Sequence, residues 1–120
     1  WYDDRFADLG EFVQTPIEED WARHSFWMYT VVLKGAAAPG RDDLMALLEA
    51  DGIETRRVFP PMHTLPPYAD RTRAFPVSDR LSAHGINLPT HGLLTADDVE
   101  YIVARIRVHL AALVAHAGRA

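Results

Sequence analysis

One stretch of this sequence decides its fold: Phe26-Trp-Met-Tyr-Thr-Val-Val-Leu33. Aromatic and β-branched residues fill the stretch, and both types favour the pleated, half-buried surface of a β-strand. Successive side chains of a strand point to opposite faces of its sheet, and both faces here are apolar. We therefore expect a central strand that is covered on both sides.

The clearest helix lies near the end of the sequence. Thr95 and Asp98 stand three positions apart, as the N-cap and N3 residues of a capping box do. The apolar stripe that follows predicts a helix of about twenty residues. It consists of Val99, Ile102, Val103, Ile106, Leu110, Leu113 and Val114. The other face is predicted to be a solvated surface. It carries Glu100, Arg105, Arg107 and His109.

The remaining predicted elements are shorter. They are helices at residues 1–9, 41–51 and 79–84, strands at about 53–58 and 86–88, and a small-residue loop at 35–40. Apolar residues at helical spacing mark the helices, and Gly10, Gly52 and Gly85 mark where they stop. The pattern predicts an α+β fold with a short central sheet, helices packed on it and a long C-terminal helix.

Composition narrows the class of protein. A chain of 120 residues with 48% hydrophobic residues predicts one globular domain over residues 1–120. The net charge of −5 argues against a nucleic-acid surface, which needs clustered basic residues. Because the sequence has no cysteine and no apolar run near the ~20 residues that cross a bilayer, we expect a cytoplasmic protein without membrane contact. It opens on Trp1 without a methionine, which predicts a fragment of a longer protein.

A proline-rich loop carries the candidate binding residues. Thr55-Arg-Arg-Val-Phe-Pro-Pro-Met-His-Thr-Leu-Pro-Pro-Tyr68 contains four prolines, which cannot join a regular ladder and which predict an irregular loop that extends to about Pro76. The His63 imidazole suits a sugar hydroxyl or a phosphate, and the Tyr68 ring suits a base or a sugar. Alternatively, His63 caps a carbonyl and Tyr68 packs onto the body. Because Arg56 and its neighbour Arg57 point to opposite faces, at most one faces a ligand.

No complete catalytic apparatus is visible in the sequence. Lys34 is the only lysine, and its place at a strand end predicts an exposed side chain rather than a Schiff base. Ser25 and His24 are neighbours on an extended segment and point apart. His91 is a weaker candidate for a binding residue, and the six histidines show no metal-ligand spacing. We expect no catalytic residue and no metal ligand in this chain.

A set of short motifs occurs in a defined order. They are Trp27-Met-Tyr-Thr-Val31, Arg41-x-x-Leu44, Leu48-x-x-x-Gly52-Ile-x-Thr-Arg56, Phe59-x-Pro61-x-His63-x-x-Pro66-x-Tyr68, Leu88-Pro89 and Leu94-Thr-x-Asp-Asp-Val99-x-x-Ile102. The ordered set resembles the C-terminal part of the DegT/DnrJ/EryC1/StrS aminotransferases. The resemblance covers residues 1 to about 115.

The resemblance implies a fold, an activity and three site residues. Members are fold-type I enzymes that use pyridoxal phosphate and work as homodimers. They transfer an amino group, commonly from glutamate, to a keto group on a nucleotide-linked sugar or a cyclitol. The implied part is the small C-terminal domain, without the large domain that holds the cofactor and its lysine. His63 and Tyr68 fall on the family's Pro-x-His-x-x-Pro-x-Tyr loop, and Arg56 falls on the Thr-Arg before it, near the substrate.

The resemblance also limits what this chain does by itself. Without the large domain we expect it to bind no cofactor and to be inactive alone. The alternative is a freestanding, non-enzymatic module that binds a small molecule or a partner through the same loop.

Overall fold

The computed structural model describes residues 1–70 and 72–118. Its sheet has four antiparallel strands in the order β1-β2-β4-β3. They are β1 (Val13–Gln14), β2 (Tyr29–Leu33), β3 (Arg56–Arg57) and β4 (Gly85–Leu88). The prediction of a central strand is confirmed, since β2 lies between β1 and β4. It begins at Tyr29 rather than Phe26, because Phe26 has a positive φ of 51° that breaks the extended backbone.

The described residues also form four α-helices: α1 (Tyr2–Phe6), α2 (Arg41–Ala50), α3 (Pro76–His84) and α4 (Ala96–Ala117). The helix predicted at 1–9 ends in a separate 3₁₀ turn at Ala7–Leu9. Residues Gly35–Gly40, predicted as a loop, also form 3₁₀ turns. α3 starts three residues earlier than predicted because Pro76 fits the first helical turn, where no backbone N–H is needed. None of the described helices is long and apolar enough to cross a membrane.

One face of the sheet forms the core. Tyr29, Val31 and Leu33 of β2 alternate toward it, together with Ile86 and Leu88 of β4. The stripe of α4 packs on this face, and its members Val99, Ile102, Val103, Ile106 and Leu110 are buried. The capping box of α4 is present, because the Thr95 hydroxyl accepts from the Asp98 N–H while Asp98 accepts from the Thr95 N–H. The predicted α+β fold, with a short sheet and a long last helix, is confirmed.

The end of α2 explains a failure of the sequence prediction. Gly52 has a φ of +79°, and the Ile53 N–H donates to the Leu48 carbonyl oxygen over 2.9 Å, as in a left-handed helix cap. This cap places Asp51 beside α4, where it contacts Arg105 and His109. The predicted solvated face of α4 is therefore wrong for His109, whose side chain is 12% exposed, and holds for Glu100, whose side chain is 60% exposed. Arg107 and Glu100 are also paired, with Asp8 and Arg5. Such pairs join residues that are far apart in sequence, so no local sequence pattern predicts them.

Candidate functional site

An open groove of about 690 Å³ lies where β3 and β4 meet the first turns of α4. Its floor is apolar and includes Ile53, Leu94 and Ile102. Polar residues also line the groove, among them Arg56, Asn87, Thr90, His91 and Tyr101. A mainly apolar concavity with a few convergent polar groups is the usual form of a small-molecule site.

A polar row crosses the sheet, and two of its three residues are among those that line the groove. Asn87 of β4 pairs directly with Thr30 of β2 on one side and with Arg56 of β3 on the other. Directly opposite residues of antiparallel strands share a face, so these three side chains lie on the face away from the core. The Thr30 hydroxyl donates to Asn87 Oδ1 over 2.6 Å, and Asn87 Nδ2 donates to the Arg57 carbonyl oxygen over 3.4 Å.

Arg56, predicted to bind substrate, lies at the rim of the groove. Its side chain is exposed, and its Nη2 donates to Glu54 Oε1 over 2.6 Å. Arg57 Nη2 lies 3.1 Å from Asp42 Oδ2 and forms a surface ion pair with it. Of the two, Arg56 alone lines the groove that also contains Asn87.

The proline-rich segment is more regular than predicted. It contains two 3₁₀ turns, Met62–Thr64 and Pro66–Tyr68, closed by backbone and side-chain hydrogen bonds. The Asp70 N–H donates to the His63 carbonyl oxygen over 3.1 Å and ties the turns together. At the end of the loop, hydrogen bonds from Thr72 and Arg73 lower the pKa of Asp70 to about 2. The segment is therefore a fixed structure that can present side chains.

His63 and Tyr68 are held differently by this loop. His63 Nε2 lies 2.8 Å from Asp79 Oδ1, and its ring stacks on Phe75 with 4.5 Å between centroids. The alternative in which His63 caps a carbonyl does not describe this arrangement, because its partner is a carboxylate. Tyr68 is 61% exposed, so the alternative of packing against the body is wrong. Neither residue lines the groove of Arg56 and His91.

Comparison with known proteins assigns the chain. Residues 1–107 match the sequence profile of the DegT/DnrJ/EryC1/StrS aminotransferase family. The chain belongs to this family. The GDP-perosamine synthase of Caulobacter vibrioides is 41% identical over 107 residues, which make up 88% of this chain and 29% of that protein. This confirms the resemblance that the ordered motifs indicated.

Solved structures of other proteins share the fold of this chain. DesI, determined in the presence of its TDP-sugar product, superposes with a TM-score of 0.81 at 27% identity, over 98% of this chain and 31% of its own. The aminotransferase TlmJ from Streptoalloteichus hindustanus gives a TM-score of 0.79 at 26% identity, over 93% of this chain and 29% of its own. The chain therefore spans less than a third of the length of the relatives it matches.

Pyridoxal phosphate, the cofactor that this family implies, does not fit the side chains described here. Its Schiff base needs a lysine amine in a pocket. Lys34, the only lysine of the chain, is half-buried rather than exposed as predicted, follows β2, and does not line the groove. His24 Nδ1 accepts from the Phe26 N–H, so His24 and Ser25 form no nucleophilic pair. Within residues 1–70 and 72–118 no three His, Asp or Glu side chains are grouped to hold a metal.

Two polar residues that pair with other side chains near the candidate site were not predicted from the sequence. Asn87 and Asp79 both became apparent only through their partners, Thr30 and His63. For Asn87 a signal existed: asparagine is depleted in strands, yet it stands between Ile86 and Leu88 in an apolar run. For Asp79 there was none, since a carboxylate in the first turn of a helix is ordinary.

Proposed function

We propose that this chain is the small C-terminal domain of a pyridoxal-phosphate-dependent aminotransferase. The whole enzyme transfers an amino group from an amino acid such as glutamate to a keto group on a nucleotide-linked sugar or a cyclitol. The observation that carries the proposal is the 41% identity to GDP-perosamine synthase over 88% of the chain. The structure of DesI with a TDP-sugar product supports a nucleotide-linked sugar in particular.

In this proposal the chain supplies one wall of the substrate site. Arg56, His63 and Tyr68 contact the substrate, while the cofactor and its lysine belong to the rest of the parent. The exposure and contacts of these three residues support a role in binding. Arg56 and Tyr68 are exposed, and Asp79 holds the His63 ring in place. Lys34, the lysine of this chain, lies outside the groove. In this proposal, therefore, no residue of the chain carries out a proton transfer or a covalent step.

Exposed apolar side chains support the view that residues 1–120 form one domain of a larger enzyme. Trp21 is 86%, Trp27 is 74% and Leu93 is 87% exposed. Large apolar side chains that cluster in a few loops mark surfaces for other protein rather than for water. We propose that the remainder of the enzyme covers Trp21 and Trp27. Assembly of the parent as a homodimer and its place in the cytoplasm stay predictions.

Amino transfer by the full-length parent tests the proposed function. The enzyme is incubated with glutamate and a panel of keto nucleotide sugars, and release of 2-oxoglutarate is measured together with the aminated sugar. We expect both products in equal amounts for at least one member of the panel. Absence of both products with every member would reject the proposal.

The competing function is a freestanding binding module, which would need neither cofactor nor large domain. Amino transfer by the full-length parent would argue against such a module, and borohydride treatment of the 120-residue chain with pyridoxal phosphate tests where the Schiff-base lysine lies. We expect no specific adduct, because the Schiff-base lysine lies elsewhere in the parent. A stoichiometric adduct at Lys34 would contradict the proposal that the Schiff-base lysine lies elsewhere in the parent.

A further inference from the structure

A second concavity, about 580 Å³ in volume, adjoins the groove and shares Thr90, His91 and Leu94 with it. The buried residues Tyr2 and Tyr29 also line this concavity. Their rings stack with 4.6 Å between the centroids, so this part of the lining belongs to the packed core. We call the concavity the aromatic hollow.

Large apolar side chains at the aromatic hollow are exposed to solvent. Trp1 and Phe26 line the hollow, yet they are 64% and 46% exposed. The turn before α4 lines another side, and it is closed by the Leu94 N–H, which donates to the His91 carbonyl oxygen over 3.1 Å. Leu93 lies within this turn and is almost fully exposed. Exposed apolar side chains grouped around a concavity mark a surface that contacts other protein.

The backbone at Phe26 has a conformation that a bulky residue rarely adopts. Its φ of 51° lies in the left-handed region, which costs free energy in such a residue. His24 stabilises this conformation, because its Nδ1 accepts from the Phe26 N–H over 2.8 Å and its ring lies 4.3 Å from the Phe26 ring, centroid to centroid. The Phe26 ring is thereby held at the hollow in a partly exposed position. Packing within the chain does not account for this cost, whereas a contact with other protein does.

The rest of the enzyme is the partner that the comparisons favour. The residues matched in the GDP-perosamine synthase of Caulobacter vibrioides make up only 29% of that protein, so most of its length lies outside the matched part. A second copy of this chain would place the same surface against itself, including the exposed Asp3 that lines the hollow. The like charges of the two carboxylates oppose that contact.

We propose that the aromatic hollow is a docking site within the parent enzyme, where an apolar segment of the same polypeptide, outside residues 1–120, inserts side chains between Trp1, Phe26 and Leu93. This inference rests on the proposed function. It adds a separate contact to the proposed covering of Trp21 and Trp27, because neither of these tryptophans lines the hollow.

The reactivity of a thiol at position 93 of the full-length parent tests the proposal. Residues 1–120 contain no cysteine, so Leu93→Cys adds one thiol to this part of the enzyme. Val108→Cys is the matched control, since Val108 is an exposed apolar residue of α4 outside the hollow. We expect Leu93→Cys to react with iodoacetamide about tenfold more slowly than Val108→Cys in the native enzyme, because a covered thiol is inaccessible. Peptide mapping gives both rates, which should be equal in guanidinium chloride.

A second pair of variants tests the same contact without thiol chemistry. Leu93→Lys should lower the melting temperature of the parent by about 3 °C or more, because it places a charge in an apolar contact. Val108→Lys should change the melting temperature by less than about 1 °C, because that side chain stays in water.

Equal iodoacetamide rates at positions 93 and 108 in the native parent would overturn the proposal, as would equal melting temperatures for the two lysine variants. A rate at position 93 that rises when the enzyme is diluted to monomers would also overturn it, since a second copy would then cover Leu93. Both measurements are made without turnover. An enzyme that shields position 93 but aminates no sugar therefore rejects only the proposed function.

Discussion

Arg105 forms a bidentate ion pair with Asp51. Its Nε and Nη2 atoms donate to Oδ2 and Oδ1 of the carboxylate over 2.8 and 3.1 Å. His109 Nε2 lies 2.6 Å from the same carboxylate. Asp51 follows the last residue of α2, and both partners lie on α4. The contact therefore fixes the end of one helix to the middle of another, next to Tyr101 at the groove.

Removal of this carboxylate should loosen the two helices. We expect Asp51→Asn to lower the melting temperature of the chain by several degrees, because the bidentate pair loses its charge and Arg105 keeps a half-buried one. The control is Asp20→Asn, which changes the same charge at an exposed loop position. Equal melting temperatures for the two variants in a calorimetric scan would contradict the role of Asp51.

The same pair predicts a pH dependence. Hydrogen bonds from Arg105 and then His109 lower the pKa of Asp51 below its usual 3.8. A lowered folded-state pKa gives stability that is present above pH 3.8 and is lost as the pH falls through the folded-state value. The difference in melting temperature between wild type and Asp51→Asn should therefore be full at pH 7 and should shrink below pH 3.8. A difference that stays constant down to about pH 2 would exclude this linkage.

Gly85 should tolerate no side chain. A Cβ atom here would overlap the Leu81 carbonyl oxygen and the Val58 side chain. We expect Gly85→Ala to reduce the free energy of unfolding in urea by about 1–3 kcal/mol, the usual cost of overpacking. Gly92→Ala is the control, since a Cβ there meets nothing within 4 Å. Similar unfolding curves for both variants would show that the backbone at Gly85 adjusts freely.

The fluorescence of Trp21 and Trp27 should show whether the rest of the enzyme covers these side chains. In the 120-residue chain both side chains are exposed, so acrylamide should quench their fluorescence readily. In the full-length parent we expect at least threefold weaker quenching, measured with variants that keep one tryptophan of the chain at a time, at Trp21, Trp27 or the exposed Trp1. Unchanged quenching of Trp21 and Trp27 in the parent would place the large domain against another face.

His63 should affect the use of substrate and not the cofactor. In the full-length parent, His63→Ala is expected to lower kcat/KM for the keto sugar about tenfold or more, while the visible absorbance of the cofactor stays unchanged. Asp79→Asn should have a smaller effect in the same direction, because Asp79 Oδ1 lies 2.8 Å from His63 Nε2. An unaltered kcat/KM for His63→Ala would remove this residue from the site.

Local signals in the sequence predicted most of the fold. The capping box at Thr95 and the apolar stripe after it specify α4 within the segment itself. Gly52 likewise marks the end of α2, because a φ of +79° suits glycine. The register of the short strand β3 was not predictable, since two residues carry too little pattern to fix their partner.

The candidate site was predicted only in part for the same reason. Arg56 was found because its motif is continuous in sequence. Asn87 became apparent only when β4 was seen beside β2, which brings Thr30 to within hydrogen-bond distance across 57 positions. Partners of this kind depend on the sheet order, and the sequence does not state that order.

The two outer strands of the sheet, β1 and β3, are each only two residues long. A short edge offers few unpaired N–H and C=O groups, so it is a poor template for strands of other molecules. The chain can therefore leave Trp21 and Trp27 exposed without also offering a long sheet edge to other molecules. Lengthening of β1 or β3 would remove this protection against aggregation while leaving the core untouched.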